Sequence, residues 1–298
     1  MKSRSFPSVE FFDEVSLYGT GESPEESQKY WNNRAPSYKK HQDEGDNDSV
    51  HREILKVIAE RTGLNKTHRV LDIGCGPGRH SRLLGQTAGW VAAFDLSPAM
   101  IDLAQKSPQP QGARISYSCL DFEQADLDDL GFRDNFYLAL ASRTPAVHDL
   151  KTLQKMNGTI GSGFGAIISS IETKNSLREP FFTDLKFSDQ IARSARSVYL
   201  QFNMLWLLGY FPELTYFDQK WLAARPVEGA IASQVRYFEK IRPLTEAEKT
   251  AIAQTLRTRA RDGLVPEEVE AKTVLMLWEK PPQNRAGHTV TDKICQTS

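Results

Sequence analysis

The chain has 298 residues, of which 40% are hydrophobic and 25% are charged, a composition typical of a folded domain with a substantial core. Its 37 lysines and arginines balance 38 aspartates and glutamates, so no net field favours nucleic acid or an anionic membrane as a partner. Three widely spaced cysteines and the lack of a long apolar run argue against a disulfide framework, a structural zinc site, a signal peptide and a membrane span. These features predict a cytoplasmic protein.

The predicted elements, taken in chain order, begin with two helices. Residues 23–44 form a predicted helix that Pro36 interrupts. Residues 49–61 carry apolar side chains at helical spacing, and Gly63 ends that helix.

Strands and helices then alternate at short spacing. The predicted strands are 69–74, 90–97, 114–122, 134–142 and 163–171, and the predicted helices between them are 79–89, 98–107 and 148–157. This alternation predicts crossover connections and a parallel sheet covered on both faces, which is the α/β class.

The character of the sequence changes after Glu172. An aromatic-rich and mostly helical stretch follows, and we interpret part of it as a cap. A strand at 214–221, helices near 226–240 and 244–262, and a last strand at 272–280 complete the predicted core.

The stretch VLDIGCGPGRH, residues 70–80, places three glycines between a predicted strand and a predicted helix. Such a turn lets the backbone approach a ligand closely. The phosphate-binding P-loop is excluded because no Gly-Lys-Ser/Thr follows. The dinucleotide fingerprint GxGxxG fits poorly, because its third glycine falls on Arg79 or Ser81, and a nicotinamide or flavin ligand stays a weaker alternative.

A third ligand class fits the turn. The run DIGCGPG resembles the D/E-x-G-x-G-x-G motif of class I S-adenosylmethionine-dependent methyltransferases, and all four specified positions match, with Asp72, Gly74, Gly76 and Gly78. The resemblance covers residues 28–172. It implies a Rossmann-like sheet of seven mostly parallel strands with helices on both faces, and S-adenosylmethionine as the cofactor.

Two further runs are similar to motifs of the same family. FDLSPAMIDLAQ ends a strand in Asp95, and the resemblance implies that this carboxylate accepts hydrogen bonds from the ribose hydroxyls, with Leu96 and Met100 lining the adenine pocket. SCLDF implies that Asp121 accepts from the adenine amino group and that the Phe122 amide donates to a ring nitrogen.

The run YWNNRAPSY resembles the lid that precedes many such domains, and its candidate lid residues are Tyr30, Trp31, Arg34 and Tyr38. We expect Tyr38 to place its ring near the sulfonium, where a cation–π contact contributes about 0.5–2 kcal/mol. The predicted organisation is an extension and lid at 1–48, a methyltransferase domain at 49–280 with a helical cap inserted at about 173–213, and a loose tail at 281–298.

The implied reaction is direct displacement at the methyl carbon, so the protein mainly aligns two reactants and excludes water. A general base matters only for acceptors such as a hydroxyl or a carbon acid. The candidate catalytic groups are His41, His148 and Tyr38, and a surface or capping role is the alternative for both histidines. Cys75 lies inside the glycine turn and is counted with the cofactor residues, although no reaction of its thiol is expected. The histidines show no metal-ligand spacing, so no metal is expected.

The fourth predicted strand ends in ASRTPAV. This run lacks the Asn/Asp-Pro-Pro-aromatic motif of amide and adenine-amino methylation and the Pro-Cys motif of cytosine-carbon methylation. Ser142 is counted among the cofactor residues, and Arg143 is suited to an anionic group. A structural turn before Pro145 explains the run equally well.

The predicted function is methyl transfer to a small-molecule acceptor, with no nucleic acid and no membrane span. Two alternatives stay open: a methyltransferase acting on RNA or protein, and a non-catalytic protein of the same fold that binds the cofactor or a partner. The sequence leaves the acceptor atom and the oligomeric state undetermined.

Overall fold

The structure is a computed structural model that describes residues 8–14, 23–43, 49–185, 193–239 and 242–280. Parts of the predicted extension, residues 186–192 of the predicted cap and the predicted tail at 281–298 lie outside the described residues. The side chain of His41 lies outside them as well.

The chain enters the fold through helices α1 (Val9–Glu14), α2 (Pro24–Asp43) and α3 (Ser49–Thr62). The alternating region that follows consists of β1 (Arg69–Ile73), α4 (Arg79–Gly85), β2 (Trp90–Asp95), α5 (Pro98–Lys106), β3 (Ile115–Cys119), β4 (Phe136–Ser142), α6 (Leu150–Thr159) and β5 (Ile160–Asn175). The last part consists of α7 (Glu179–Asp184), α8 (Arg193–Leu207), β6 (Glu213–Pro226), α9 (Val227–Glu239), α10 (Glu246–Arg259) and β7 (Leu264–Lys280).

Seven strands form one sheet in the order β3-β2-β1-β4-β5-β7-β6. The pairs from β3 through β5 are parallel, which confirms the predicted α/β, Rossmann-like fold. The strand order reverses between β1 and β4, and ligands of open α/β sheets bind at the carboxyl ends of the strands beside such a switch point. The glycine turn follows β1 at this position.

The central strands are apolar because both of their faces are covered. Val70, Leu71 and Ile73 of β1 are fully buried, and so are Leu138 and Leu140 of β4. This explains why these strands read as continuous apolar runs rather than as alternating ones. The polar side chains therefore collect where the strands end.

The start of α5 is fixed as its sequence predicts. The Ser97 hydroxyl accepts a hydrogen bond from the Met100 amide at 3.2 Å, and Pro98 occupies the first helical position. A serine cap of this kind contributes about 1 kcal/mol. It fixes the direction in which the chain leaves Asp95.

Several predicted elements differ in extent from the observed ones, and three of the differences are informative. The predicted interruption at Pro36 is wrong, because α2 continues through that residue. The predicted strand at 114–122 is reduced to β3. The last strand begins at Leu264 rather than at residue 272, and Pro266 lies within it.

The chain divides into two compact units. Unit 1 consists of Met1–Ser169, Ser197–Thr215 and Val274–Ser298, and unit 2 consists of Ser170–Arg196 and Tyr216–Thr273. The predicted cap at about 173–213 is thus shared between the units, with the described part of α8 from Ser197 onward in unit 1. Its role as a substrate cap stays a prediction. The apolar core of unit 2 is formed by Leu177, Phe181, Ala230, Phe238, Leu244, Ile252, Leu256 and Val265.

Candidate functional site

The turn after β1 is held by its own backbone. The Cys75 amide donates to the Phe94 carbonyl of β2 at 2.9 Å, and the Gly78 amide donates to the Cys75 carbonyl at 3.0 Å. Gly78 then begins α4 from the left-handed conformation, with φ of 76°. The turn is therefore a fixed part of the sheet edge.

Two glycines of the turn have different surroundings. At Gly74, a Cβ would lie 2.1 Å from Thr144 Oγ1, so the loop after β4 packs directly on the backbone. At Gly76, with φ of +54°, none of the described non-adjacent residues lies within 4 Å of the Cβ position. The backbone of Gly76 therefore faces open space, as the predicted ligand site requires.

Asp95, the last residue of β2, lies beside this open space. Its Oδ2 accepts from the Gly76 amide at 2.9 Å, and its Oδ1 accepts from the Ser97 amide at 2.8 Å. Burial raises the pKa of the carboxyl, and the two backbone donors act in the opposite direction. Each carboxylate oxygen keeps a lone pair for a further donor.

Asp72 lies beneath the turn rather than in it. The side chain is 1% exposed, and the Ser81 hydroxyl of α4 donates to its Oδ2 at 2.5 Å. Burial is the main cause that raises the pKa of Asp72 to about 6. Burial also raises the pKa of the neighbouring Cys75 thiol, which keeps that thiol protonated and unreactive.

Helix α2, which contains the predicted lid run, is hydrogen-bonded to the segment where α5 begins. Asn32 Oδ1 accepts from the Ser97 hydroxyl at 2.6 Å and from the Ala99 amide at 3.3 Å. The side-chain amide of Gln28 donates to the Leu96 carbonyl at 3.0 Å. Sequence reasoning missed Gln28 and Asn32, although both lie inside or next to the aromatic lid run.

The predicted lid residues are divided between two settings. Arg34 donates to the Tyr30 hydroxyl at 2.8 Å, and its guanidinium lies over the Tyr30 and Trp31 rings, so these three residues contact one another along α2. Tyr38 is half-buried, and it lies close enough to Arg79 and Arg143 to act on the pKa of both guanidinium groups.

Arg79 is half-buried, and Arg143 keeps an exposed surface. Desolvation is the main cause that lowers the pKa of each guanidinium, and the charge of Arg143 lowers that of Arg79 further. Arg143 directly follows β4 and adopts a φ of +50°, a conformation that L side chains rarely adopt. Such local strain concentrates at functional sites.

The predicted adenine residues lie on both sides of the β2–α5 connection. The Asp121 carboxylate accepts from the Glu123 amide at 2.9 Å and thereby holds its own turn. The Phe122 ring is buried and stacks on Phe94, with 5.5 Å between ring centroids. Met100 is buried in the core on α5, and Leu96 is half-buried and contributes its carbonyl to the lid contact.

The end of β4 contains a polar atom with no protein partner. Ser142 Oγ is buried and has no hydrogen-bond partner in the described part of the chain. The hydroxyl of Thr144 accepts from the Ala146 amide at 3.2 Å, which fixes the loop that packs on Gly74. The role of Ser142 as a cofactor residue stays a prediction.

A pair of histidines behind the turn is locked into one tautomeric arrangement. Arg79 donates to His51 Nε2 at 2.8 Å, so His51 carries its proton on Nδ1, which lies 3.0 Å from His80 Nε2. Burial and the neighbouring His51 lower the pKa of His80 well below its ordinary value. The pair therefore positions Arg79 and α4, a role that sequence reasoning missed.

His148 is held by its own loop. Its Nδ1 lies 2.9 Å from the Pro145 carbonyl and so donates to it, and its Nε2 lies 3.5 Å from the Asp149 carboxylate. Both ring nitrogens thus face groups of the loop that precedes α6. A role as general base stays a prediction for His148, as it does for Tyr38 and His41.

Two further features, a metal site and a membrane span, are not found among the described residues. Within those ranges, no cluster of three or more histidine, cysteine, aspartate or glutamate side chains is arranged to hold a metal ion. No helix of the described part of the chain combines the length and the apolar character that crossing a membrane requires.

Comparison with known proteins agrees with this geometry. Residues 70–158 match the model of a methyltransferase domain family. The ubiquinone biosynthesis O-methyltransferases of several Coxiella burnetii strains are 38% identical to the chain over 69 residues, which are 23% of this chain and 29% of the relative. The chain thus spans less than a third of the curated relatives it matches.

Two solved structures share the fold. One, from Anaeromyxobacter dehalogenans and proposed to be a type II methyltransferase, has a TM-score of 0.50 at 16% identity and covers 78% of this chain and 97% of its own. The 4+2 cyclase SpnF has a TM-score of 0.50 at 14% identity and covers 87% and 97%. Together, the matched domain model and the seven-stranded sheet show that residues 70–158 form a methyltransferase domain of Rossmann-like fold, with the motif residues gathered at the edge formed by β1 and β2.

Proposed function

We propose that this chain transfers a methyl group from S-adenosylmethionine to a small-molecule acceptor, as a cytoplasmic enzyme. The observation that supports this most directly is the open space over Gly76 with the Asp95 carboxylate beside it. A partly buried carboxylate with spare lone pairs suits two adjacent hydroxyls, and the bare glycine backbone admits a ligand in close contact.

The residues present fit the adenosyl part of this cofactor. Asp95 would hold the ribose hydroxyls, and the unpartnered hydroxyl of Ser142 would receive a hydrogen bond from the ligand or donate one to it. Asp121 keeps one carboxylate oxygen for the adenine amino group, and the backbone amide of Phe122 stays the proposed donor to the ring. Leu96 would line the same pocket.

The two neighbouring guanidinium groups favour the negatively charged end of the cofactor. We assign Arg79 and Arg143 to its carboxylate, because an anion between two nearby cations would offset their mutual repulsion. Tyr38 lies near both groups, so its hydroxyl is suited to the same carboxylate, and the cation–π contact with the sulfonium stays an alternative for its ring.

The bound cofactor supplies an electrophilic methyl group, and the chain supplies alignment and the exclusion of water. The contacts of Asn32 and Gln28 hold α2 at the rim where Asp95 lies, which suits the lid role. No single described side chain is required as a base when the acceptor is a good nucleophile.

The small-molecule acceptor is supported by the relatives named ubiquinone biosynthesis O-methyltransferases. Their name suggests a hydroxyl as the acceptor group, while the short shared region leaves the acceptor site of this chain outside the comparison. The cyclase of the same fold shows why turnover has to be measured, since fold alone does not fix chemistry.

Calorimetry with S-adenosylmethionine and S-adenosylhomocysteine tests the cofactor, and release of S-adenosylhomocysteine during a screen of small acceptors tests the reaction. We expect both ligands to bind in a one-to-one complex. Absence of binding would refute the proposal, and binding without turnover on any acceptor would favour the non-catalytic alternative.

One observation supports the second candidate, methylation of RNA. A surface cavity of about 300 Å³ is lined by three arginines, Arg52, Arg79 and Arg82, together with Leu83, Gln86 and Pro108–Pro110. Cationic side chains grouped in this way suit phosphate groups. Tight RNA retention that weakens steeply with salt and with Arg82→Ala would support this candidate, and its absence would leave the small-molecule acceptor.

A further inference from the structure

Two buried polar atoms of unit 1 have no hydrogen-bond partner among the described residues: Ser142 Oγ, at the end of β4, and Gln201 Oε1, on α8. Gln201 is 3% exposed. A third such atom, Asn157 Nδ2, belongs to a residue that binds Trp278 and Lys280 at the other end of β4. Native proteins rarely leave buried polar atoms unsatisfied, so each one calls for an explanation.

The orientation of the Gln201 amide is fixed by its neighbour. Its Nε2 donates to the Val147 carbonyl at 2.9 Å. Turning the amide by half a rotation would place two oxygens against each other, so the oxygen is the atom that faces away from Val147. Gln201 therefore presents an unsatisfied acceptor, not a donor.

The loop after β4, whose Val147 carbonyl accepts a hydrogen bond from Gln201, also borders the proposed cofactor site. Val147 is buried in the loop that starts at Ser142 and packs on Gly74 through Thr144. The bond from the Ala146 amide to Thr144 and the bond from His148 to Pro145 make this loop rigid. α8 is thus hydrogen-bonded to the short loop that follows β4 at the switch point. A methyl acceptor would have to lie near this point to reach the methyl group.

We propose that Gln201 is a recognition residue for the methyl acceptor and that it accepts a hydrogen bond from an uncharged hydroxyl of that molecule. This inference rests on the proposed methyl-transfer function and adds the substrate class. It concerns which group is held, and the methylated atom is a separate question.

The chemistry around Gln201 favours a neutral hydroxyl over other donors. An ammonium group would be buried beside an amide oxygen without a counter-charge, while Arg143 of the same loop is itself cationic. A thiol is a weak donor, and a carboxylate or phosphate has no proton to give. A hydroxyl, by contrast, is uncharged and gives a proton to Gln201.

The test uses the full chain saturated with S-adenosylhomocysteine. Ligand-observed NMR titrations compare catechol with 1,2-dimethoxybenzene, and benzyl alcohol with benzyl methyl ether. We expect the wild-type chain to bind at least one hydroxyl compound roughly tenfold more tightly than its ether, the gain of one buried hydrogen bond. No preference for any hydroxyl compound would overturn the inference.

The variant Gln201→Met keeps the size of the side chain and removes the acceptor. We expect it to lose the preference for hydroxyl over ether, to within about twofold, while its affinity for S-adenosylhomocysteine stays unchanged. The matched control is Asn203→Leu on the same helix, since the Asn203 amide also donates to a backbone carbonyl but lies on the exposed side. The control should keep the full preference.

A preserved preference in Gln201→Met would also overturn the inference. If this variant does not fold, Gln201→Asn is measured instead, because its amide is one methylene shorter. An unchanged preference for hydroxyl over ether in Gln201→Asn would likewise overturn the inference. Failure of S-adenosylhomocysteine to bind the wild-type chain would refute the proposed function itself. Binding of that ligand without a hydroxyl preference would refute the present inference alone.

Discussion

The carboxylate of Asp95 accepts a hydrogen bond from the backbone amide of Gly76, with 2.9 Å between Oδ2 and the nitrogen. The last residue of β2 thus holds the centre of the glycine turn that follows β1. The two sequence motifs are one structural unit, so a change in either motif alters the geometry of both.

Replacement of Asp95 by asparagine should weaken binding of S-adenosylhomocysteine by about 1–3 kcal/mol, because a charge-assisted contact to the ribose becomes a neutral one. Calorimetry measures the change. Asp102→Asn is the control, since Asp102 pairs with Lys106 on the exposed face of α5. Equal affinities of the two variants would remove the ribose assignment.

Replacement of Gly76 by alanine separates strain from ligand exclusion. The left-handed φ of +54° makes alanine cost about 1 kcal/mol of folding free energy. Gly112→Ala, at φ +71° and also without near neighbours among the described residues, should cost a similar amount. Only Gly76→Ala should lose cofactor affinity, by tenfold or more, because its methyl group would occupy ligand space. Similar cofactor affinities of Gly76→Ala and Gly112→Ala, measured where both variants are fully folded, would contradict this interpretation.

The lid contact predicts a role for Asn32. Asn32→Ala removes the acceptor that holds Ser97 and Ala99, so S-adenosylhomocysteine should dissociate about three- to tenfold faster, as expected for one or two hydrogen bonds. Stopped-flow displacement measures the rate. Its neighbour Asn33 is exposed, and Asn33→Ala should leave the rate unchanged; a parallel acceleration in both variants would argue against a specific docking contact.

The sequence predicts the elements that have a clear local pattern of apolar residues, and it misses those that depend on partners distant in sequence. The strands β1, β2 and β4 are recognised because they are buried on both faces and therefore continuously apolar. The first half of β7 was missed because Pro266 and several glutamates lie in it. There the buried Glu267 is compensated by Arg225 and Asn175, partners that are distant in sequence.

The same limit applies to the site. Asp95 and the glycines are found because their spacing is local and specific. Gln201 and Asn32 are polar residues within helices, and their partners lie 54 and 65 residues away. Only the folded chain shows that Gln201 is buried with an unsatisfied oxygen, and that Asn32 meets the cap of α5.

The raised pKa of Asp72, about 6, predicts a pH dependence of stability. The folded chain holds this proton more tightly than the unfolded chain, whose carboxyl has a pKa near 3.8. The contribution of Asp72 to the free energy of unfolding therefore falls as the pH rises from about 4 to 6, by up to about 3 kcal/mol. Asp72→Asn removes this titration, so its stability relative to wild type should improve across that window in urea unfolding. Parallel pH curves for the two proteins would contradict the assignment.

Arg143 combines a left-handed backbone conformation with a positive charge, and glycine at this position separates the two effects. Arg143→Gly relieves the left-handed conformation and should raise the free energy of unfolding by up to about 1 kcal/mol, as should the control Asp262→Gly at φ 51°. Arg143→Gly alone should bind S-adenosylhomocysteine about 10- to 100-fold more weakly, because a charge-assisted contact to the carboxylate is lost. Its affinity for 5′-methylthioadenosine, which has no carboxylate, should stay unchanged. An equal loss of affinity for both ligands would place Arg143 beside the adenosyl group instead of the carboxylate. No loss for either ligand would contradict a cofactor role and make Arg143 a candidate contact of the methyl acceptor.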